Sequence, residues 1–294
     1  MPPKSRRSFV ALAPSALGIL VARAADADPV IIWQNGFESA DTCAWTAKVP
    51  AATCDPEMVF VPAGEFTMGS DTGESDEQPA HQVYLDDYWI DRNDVTADAY
   101  TACVTASGCT TPKGGYSGNA TCNWGSPRSG NNPMNCVDWS EANTFCTWVG
   151  KRLPSEAEWE KAARGDARTY PWGEESPTCD YAQMTDPAMA GGVFGCGLKG
   201  TAPVGSKPAG TSPYGALDMA GNVWQWVNDW YDPNYYGASP PTDPPGPAAG
   251  FYKVMRGGGW GTTSQDYLRS ARRVEDEPTL WDNGNFGFRC ARNP

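Results

Sequence analysis

The stretch GALDMAGNVWQWVNDWYD, Gly215 to Asp232, sets Trp224, Trp226 and Trp230 beside Gly215, Gly221, Asn222 and the carboxylates of Asp218, Asp229 and Asp232. Its apolar residues keep neither the helical period nor a clean alternation, so it reads as a short polar turn set against large aromatics. Asp218 and Gln225 supply side-chain oxygens, and the turn between them aims carbonyls inward, which is how a hard cation such as calcium is held. A tryptophan-rich core segment with a solvated acidic edge is the competing reading, because large aromatics are mostly core.

Outward from this stretch, 294 residues with 32 Gly and 26 Pro favour one irregular α+β domain with little regular secondary structure over a repeat array. The net charge of −13 falls to −17 once the four bases Lys4, Arg6, Arg7 and Arg23 of an N-terminal leader are removed. So acidic a surface repels nucleic acid and anionic lipid, and neither is expected as a partner. Ten cysteines with no CxxC pair, and a single histidine, His81, leave zinc-finger, zinc-hydrolase and three-histidine iron sites without ligands. An even cysteine count behind an export signal predicts five disulfides formed in an oxidising compartment.

Met1 to Ala27 has the basic start, apolar middle and small-residue end of a signal peptide, too short to span a membrane as an anchor. Ser5-Arg6-Arg7-Ser8-Phe9-Val10 resembles the twin-arginine export motif, with a plain secretory leader as the alternative. The protein is therefore expected to be exported, to the periplasm, the cell surface or the medium. Residues 28–55 form a lead-in segment in which Cys43 and Cys54 close a small loop, and the main domain is assigned to residues 56–294.

Met58 to Ser70 predicts a hairpin about Pro62-Ala63-Gly64, followed by the strand Val83-Tyr84-Leu85. His81, entering that strand, is expected to be a structural hydrogen-bonder. Thr96 caps a helix running to about Ser107, with Cys103 in its last turns and Cys109 just beyond it, and the two come together as the chain reverses at Gly108. Cys122 and Cys136 frame the next loop, and a second helix is predicted from Ser140 to Val149. Ser155 and Glu158 make a capping box for a third helix, which explains these carboxylates without acid–base chemistry, and its Lys161 and Arg164 are expected to be solvated. Residues 233–250, rich in Pro, Gly, Ala and Tyr, predict a surface loop.

The opening stretch, with GKRLPSEAEWEKAARG (Gly150 to Gly165), YPWG (Tyr170 to Gly173), GTAPVGSKPAG (Gly200 to Gly210), MRGGGW (Met255 to Trp260) and NFGFRCAR (Asn285 to Arg292), resembles the formylglycine-generating enzyme family, the sulfatase-modifying factors. The resemblance implies a fold related to C-type lectins and a bridge between Cys146 and Cys290. It also implies two calcium sites: Asp180 with the Tyr181 carbonyl, and Asp218 and Gln225 by side chain with Gly221 and Val223 by carbonyl. Cys196 falls where an acidic ligand of the first site belongs, so a Cys179–Cys196 bridge is expected to hold that loop instead. Gln225 replaces a glutamate, so weaker calcium binding is expected.

Members of the family resembled here oxidise a cysteine of a client sulfatase with oxygen and a copper(I) ion held by two thiolates, soft ligands that suit Cu(I). The resemblance puts the first thiolate at Thr262 and the second within Gln265 to Tyr267, yet no cysteine stands between Cys196 and Cys290. Gly259 replaces a serine of the same motif. Copper is therefore not expected, and no residue is assigned as catalytic. Trp224, Arg273 and Asn285 match positions that line the substrate groove, with packing and a salt bridge as the competing reading for Trp224 and Arg273. The favoured expectation is a non-catalytic module, calcium- and disulfide-stabilised, presenting a groove to a peptide, a glycan or another exported protein. The alternative is an oxidoreductase of this family acting on a cysteine or other residue of an exported protein, with Asp266, Tyr267 or Glu275 as candidate groups.

Overall fold

The computed structural model describes residues 57–294 except 116–118, 187–192 and 282, together with two short strands, β1 (Ile19–Ala22) and β2 (Val30–Trp33). These two pair antiparallel, Ile19 opposite Trp33, in a unit comprising residues 1–41. The twin-arginine stretch and the expected Cys43–Cys54 bridge lie outside the described residues.

In the second unit, residues 42–294, the largest sheet is built on β7 (Trp224–Trp230). Its neighbours are β8 (Lys253–Arg256), antiparallel with Gln225 opposite Arg256, and β10 (Phe286–Phe288), parallel with Phe286 opposite Trp224; β9 (Val274–Asp276) extends the β8 edge. The polar turn read from the sequence is thus confined to 215–223, and the tryptophans beyond it lie on a seven-residue strand. Alternation is hidden because Gln225, Trp226 and Val227 are buried in succession, and because the ladder to β8 slips between Trp226 and Trp230.

The hairpin expected at Met58–Ser70 does not form. β3 (Met58–Val61) pairs instead with β6 (Tyr88–Asp91), which also carries β11 (Ala291–Arg292), while β4 (Gly64–Met68) pairs with β5 (His81–Leu85). The crossing from one sheet to the other is pinned by Lys161, whose Nζ donates to the carbonyls of Pro62 (2.9 Å) and Gly64 (2.8 Å). Lys161 is only 2% exposed, so the expectation of a solvated side chain is corrected: its ammonium replaces water for the two carbonyls at the crossing.

Helix α1 (Ala97–Thr105) is capped by Thr96, whose hydroxyl accepts from Ala99 N at 3.1 Å. Helix α2 (Trp139–Trp148) begins one residue before the sequence expectation because Asp138 and Glu141 form a capping box ahead of it. Helix α3 (Glu156–Arg164) carries the anticipated Ser155–Glu158 box and packs against β4, β5, β7 and β8. His81 is structural, its Nδ1 beside the Pro79 carbonyl at 2.9 Å and its ring edge-on to Tyr236.

Cys103–Cys109, Cys122–Cys136, Cys146–Cys290 and Cys179–Cys196 are all bridged, as expected. The longest of these ties α2 to the end of β10, across a separation of 144 residues. Among the described residues no helix is long and apolar enough to cross a membrane.

The centre of the domain is ionic as well as apolar. Glu156 and Glu160, one turn apart on α3, face Arg256 of β8 and Arg273 of the loop before β9, all four at most 2% exposed. Arg164, one turn further along the same face, donates to Glu160 Oε1 (2.9 Å) and to the Gly69 carbonyl (2.7 Å), so it too is not the solvated residue expected. Glu156, Glu160, Arg256 and Arg273 each have a partner of opposite sign, the condition under which such groups leave water.

Candidate functional site

The N-terminal ends of the parallel strands β7 and β10 meet the turn that follows β8, and this junction carries the residues the sequence singles out. Trp224 N donates to the Asn285 carbonyl at 2.6 Å, and Trp260 N donates to the Asn222 carbonyl at 2.9 Å. Gly257 (φ +94°) and Gly258 (φ +78°) turn the chain in the left-handed region, where a Cβ at 258 would also lie 2.7 Å from Leu268.

Thr262, where the resemblance puts the first copper thiolate, is drawn into this turn. Its Oγ1 accepts from Gly259 N (3.0 Å) and its amide donates to the Gly259 carbonyl (2.9 Å). A side chain at 259 would meet Asn285 Oδ1 at 2.8 Å, so the turn as built also has no room for the serine. Hydroxyl and phenol oxygens at Thr262 and Tyr267 are hard donors, and the chain offers no thiolate from Cys196 to Cys290, so the residues present do not fit Cu(I).

The groove residues separate. Trp224 is half-buried and meets the ring of Tyr267 edge-on at 5.9 Å; Tyr267 is 38% exposed and has the Arg272 guanidinium over its ring at 4.9 Å. Asn285 shapes the turn rather than facing outward: its Oδ1 accepts from Gly261 N (2.8 Å) and its Nδ2 donates to Asn283 (3.3 Å). Arg273 does not reach this surface. It is 1% exposed and clamps Glu156 through Nε (2.7 Å) and Nη2 (3.0 Å), so the groove assignment is corrected in favour of the salt bridge. Of the alternative catalytic candidates, Asp266 is committed to Arg269 Nε at 2.6 Å, a bond that holds its carboxyl below the usual range, and Glu275 lies exposed on β9.

Neither expected calcium site presents an open ligand set. Gln225 is fully buried, and its one side-chain oxygen accepts from both Trp159 Nε1 and Arg289 Nε, each at 2.7 Å. A carboxylate there would keep a second oxygen for an ion. The amide instead turns Nε2 toward the loop and donates to the Asp218 carbonyl at 2.7 Å. Asp218 Oδ2 accepts from Gly205 N (2.7 Å); burial raises its carboxyl above the usual range, against the pull of the Gly205 amide and Arg289. The loop that carries Gly221 and Val223 is therefore closed by the protein's own amide.

At the first site Asp180 points to solvent, Tyr181 stacks on Trp172 at 4.9 Å, and Lys207 Nζ donates to the Cys179 carbonyl beside the Cys179–Cys196 bridge. A disulfide and an ammonium hold this loop. Among the described residues no group of three or more His, Cys, Asp and Glu is placed to hold a metal ion.

The buried ion network was the feature missed in the sequence. Its signal was the spacing Glu156, Glu160, Arg164 at i, i+4, i+8 on the face of α3 that also carries Trp159, a charged stripe where an exposed helix would put its core.

Comparison with known proteins gives the same fold an identity. Residues 46–294 match the family described as sulfatase-modifying factor enzyme 1-like domain. The chain is 34% identical to the formylglycine-generating enzyme of Streptomyces coelicolor, over 84% of this chain and 96% of that enzyme. It is 36% identical to the serine/threonine-protein kinase pkn1 of Chlamydia caviae, over 80% of this chain but 38% of that protein. Among solved structures, PvdO from Pseudomonas aeruginosa superimposes with a TM-score of 0.66 at 33% identity, covering 81% of this chain and 94% of that one. A match that begins before β3 and runs to the last residue takes in every element that builds the Trp224 surface, and the chain belongs to the sulfatase-modifying factor enzyme 1-like family.

Proposed function

We propose that the protein is an exported member of this family that binds an extended segment of another exported protein at the Trp224–Tyr267 surface and does not convert its cysteine to formylglycine. The observation that carries the reading is the closure of Thr262 onto Gly259 in a stretch without cysteine, which removes the soft donors a copper(I) oxidase needs. The half-buried Trp224 and the exposed Tyr267 supply a rigid aromatic contact of the kind peptide sites use. The leader at Met1 to Ala27 and the four bridges support export, because such bonds persist in oxidising surroundings.

Incubation of the purified protein with a Cys-x-Pro-x-Arg peptide, Cu(I) and oxygen tests the reading, with the peptide followed by mass spectrometry. The expected result is an unmodified peptide that quenches tryptophan fluorescence in the wild type and not in Trp224→Ala. Aldehyde above the no-protein control would overturn it. A different oxidised product would favour the oxidoreductase alternative.

A further inference from the structure

Three of the four described bridges are buried, each of their cysteines at most 8% exposed. Cys179 and Cys196 of the fourth are only half-buried. Cys196 also sits at φ 48° and ψ 33° between Gly195 (φ 54°) and Gly197 (φ 92°), in the left-handed region that a residue with a Cβ holds only under constraint. Cys136 shares that conformation but is fully buried, so exposure and backbone constraint coincide at Cys196 alone among the described bridges.

The surroundings of this bridge suit thiol exchange. Phe194 and Leu198, two residues to either side of Cys196, are 54% and 50% exposed, an apolar pair at the surface around that cysteine. Lys207 Nζ donates to the Cys179 carbonyl, so a positive charge stands beside the other one, and a neighbouring cation favours the thiolate. The bridge is also joined to the candidate site by the arm 183–185. Cys196 N donates to the Met184 carbonyl (2.8 Å), while on the same arm the Gln183 carbonyl accepts from Asn222 N (2.8 Å) and Thr185 N donates to the Thr262 carbonyl (3.0 Å). One short run of chain thus connects Cys196 with the two turns that build the Trp224 surface.

We propose that Cys179–Cys196 is a thiol–disulfide exchange site, opened by the dithiol of a CxxC oxidoreductase that seats an apolar contact on Phe194 and Leu198, and that its opening releases the arm 183–185 from the turns at Asn222 and Thr262. A thiolate of the dithiol attacks Cys196 Sγ, the bridge breaks, and Cys179 leaves as a thiolate beside the Lys207 ammonium. The second thiol then attacks the mixed disulfide and frees Cys196. Two electrons pass from the dithiol, which ends as a disulfide, to the bridge, and the two protons of the dithiol end on Cys179 and Cys196. The three buried bridges stay closed, so the domain keeps its fold while this loop opens. The inference does not depend on what the Trp224–Tyr267 surface binds.

The full oxidised chain is treated with graded dithiothreitol, quenched with N-ethylmaleimide and mapped by mass spectrometry. Cys179 and Cys196 should be labelled together, at a ratio of dithiothreitol to its oxidised form at least about tenfold below that which labels the buried bridges, or about 30 mV for a two-electron couple. Hydrogen exchange on the selectively reduced protein should speed up at the amides of Thr185, Cys196 and Asn222 and stay unchanged in β8. Phe194→Ser should slow reduction by thioredoxin about tenfold and leave reduction by dithiothreitol as it is. Leu198→Ser repeats this test if Phe194→Ser does not fold, as judged by its melting curve. Reduction of this bridge together with the buried ones, or after them, would overturn the proposal. So would unchanged exchange at Thr185 and Asn222 after reduction, or reduction by thioredoxin at the wild-type rate in whichever variant folds.

Discussion

Exchanging Gln225 for glutamate reverses the one difference that closes the Asp218 loop. In the wild type Gln225 Nε2 donates to the Asp218 carbonyl at 2.7 Å, deep in the core. A carboxylate sets an acceptor against that carbonyl, and an unsatisfied buried acceptor costs about 1–3 kcal/mol. The new charge strengthens the contact with Arg289, now 2.7 Å from the amide oxygen, and this returns about 1 kcal/mol. A net loss of about 1–2 kcal/mol corresponds to roughly 2–8 °C in melting temperature for a domain of this size. The assay is thermal unfolding of both proteins in excess EGTA and in millimolar calcium. The wild type should give superimposable curves, whereas Gln225→Glu should melt lower in EGTA and recover with calcium by mass action, about 2.7 kcal/mol at a hundredfold excess over Kd. A chelator-sensitive wild type would refute the reasoning, as would a variant that melts with the wild type in EGTA.

The ion network and the buried acids supply two further tests. Glu160→Gln removes the charge facing Arg256 Nη2 and Arg164 Nη1 and should cost about 3–5 kcal/mol in urea unfolding; a loss below about 1 kcal/mol would show that the cluster relaxes into water. Asp229, buried beneath Glu156, has its carboxyl pushed up to about 7 by burial and by the neighbouring Glu156 charge. Its native pKa lies above the unfolded one, so the native state holds the extra proton and stability falls as pH rises from about 4 to about 7. Asp229→Asn keeps an acceptor for Glu156 N and should flatten that slope, which unfolding midpoints across the window will show; an unchanged slope would assign the proton elsewhere.

What could be read in the chain follows the range of the interactions. The caps at Thr96 and Ser155 and the Cys103–Cys109 bridge are decided within a few residues, and the structure has each where the sequence indicates. β3 and β4 look like a hairpin because their alternation is local, while their partners, β6 and β5, are chosen by packing on α3 and by Lys161 from nearly a hundred residues away. Arg273 shows the same limit at the candidate site: a motif places it near a groove, and only the fold reveals Glu156 in front of it. Gln225 is instructive in the other direction, since a glutamine in place of a glutamate is visible in sequence as a lost charge, but the donor it gains has meaning only with Asp218 opposite.

The parallel pairing of β10 with β7, and the bond from Cys290 back to Cys146, make one side of the main sheet depend on residues far downstream of it. On one side β7 has no neighbour until residues 286–288 are in place. A growing polypeptide therefore exposes the Trp226 edge of β7 until β10 has been made. A product that stops short of Cys290 lacks the cysteine that fastens this sheet to α2, so it is unlatched and a ready substrate for quality-control proteases.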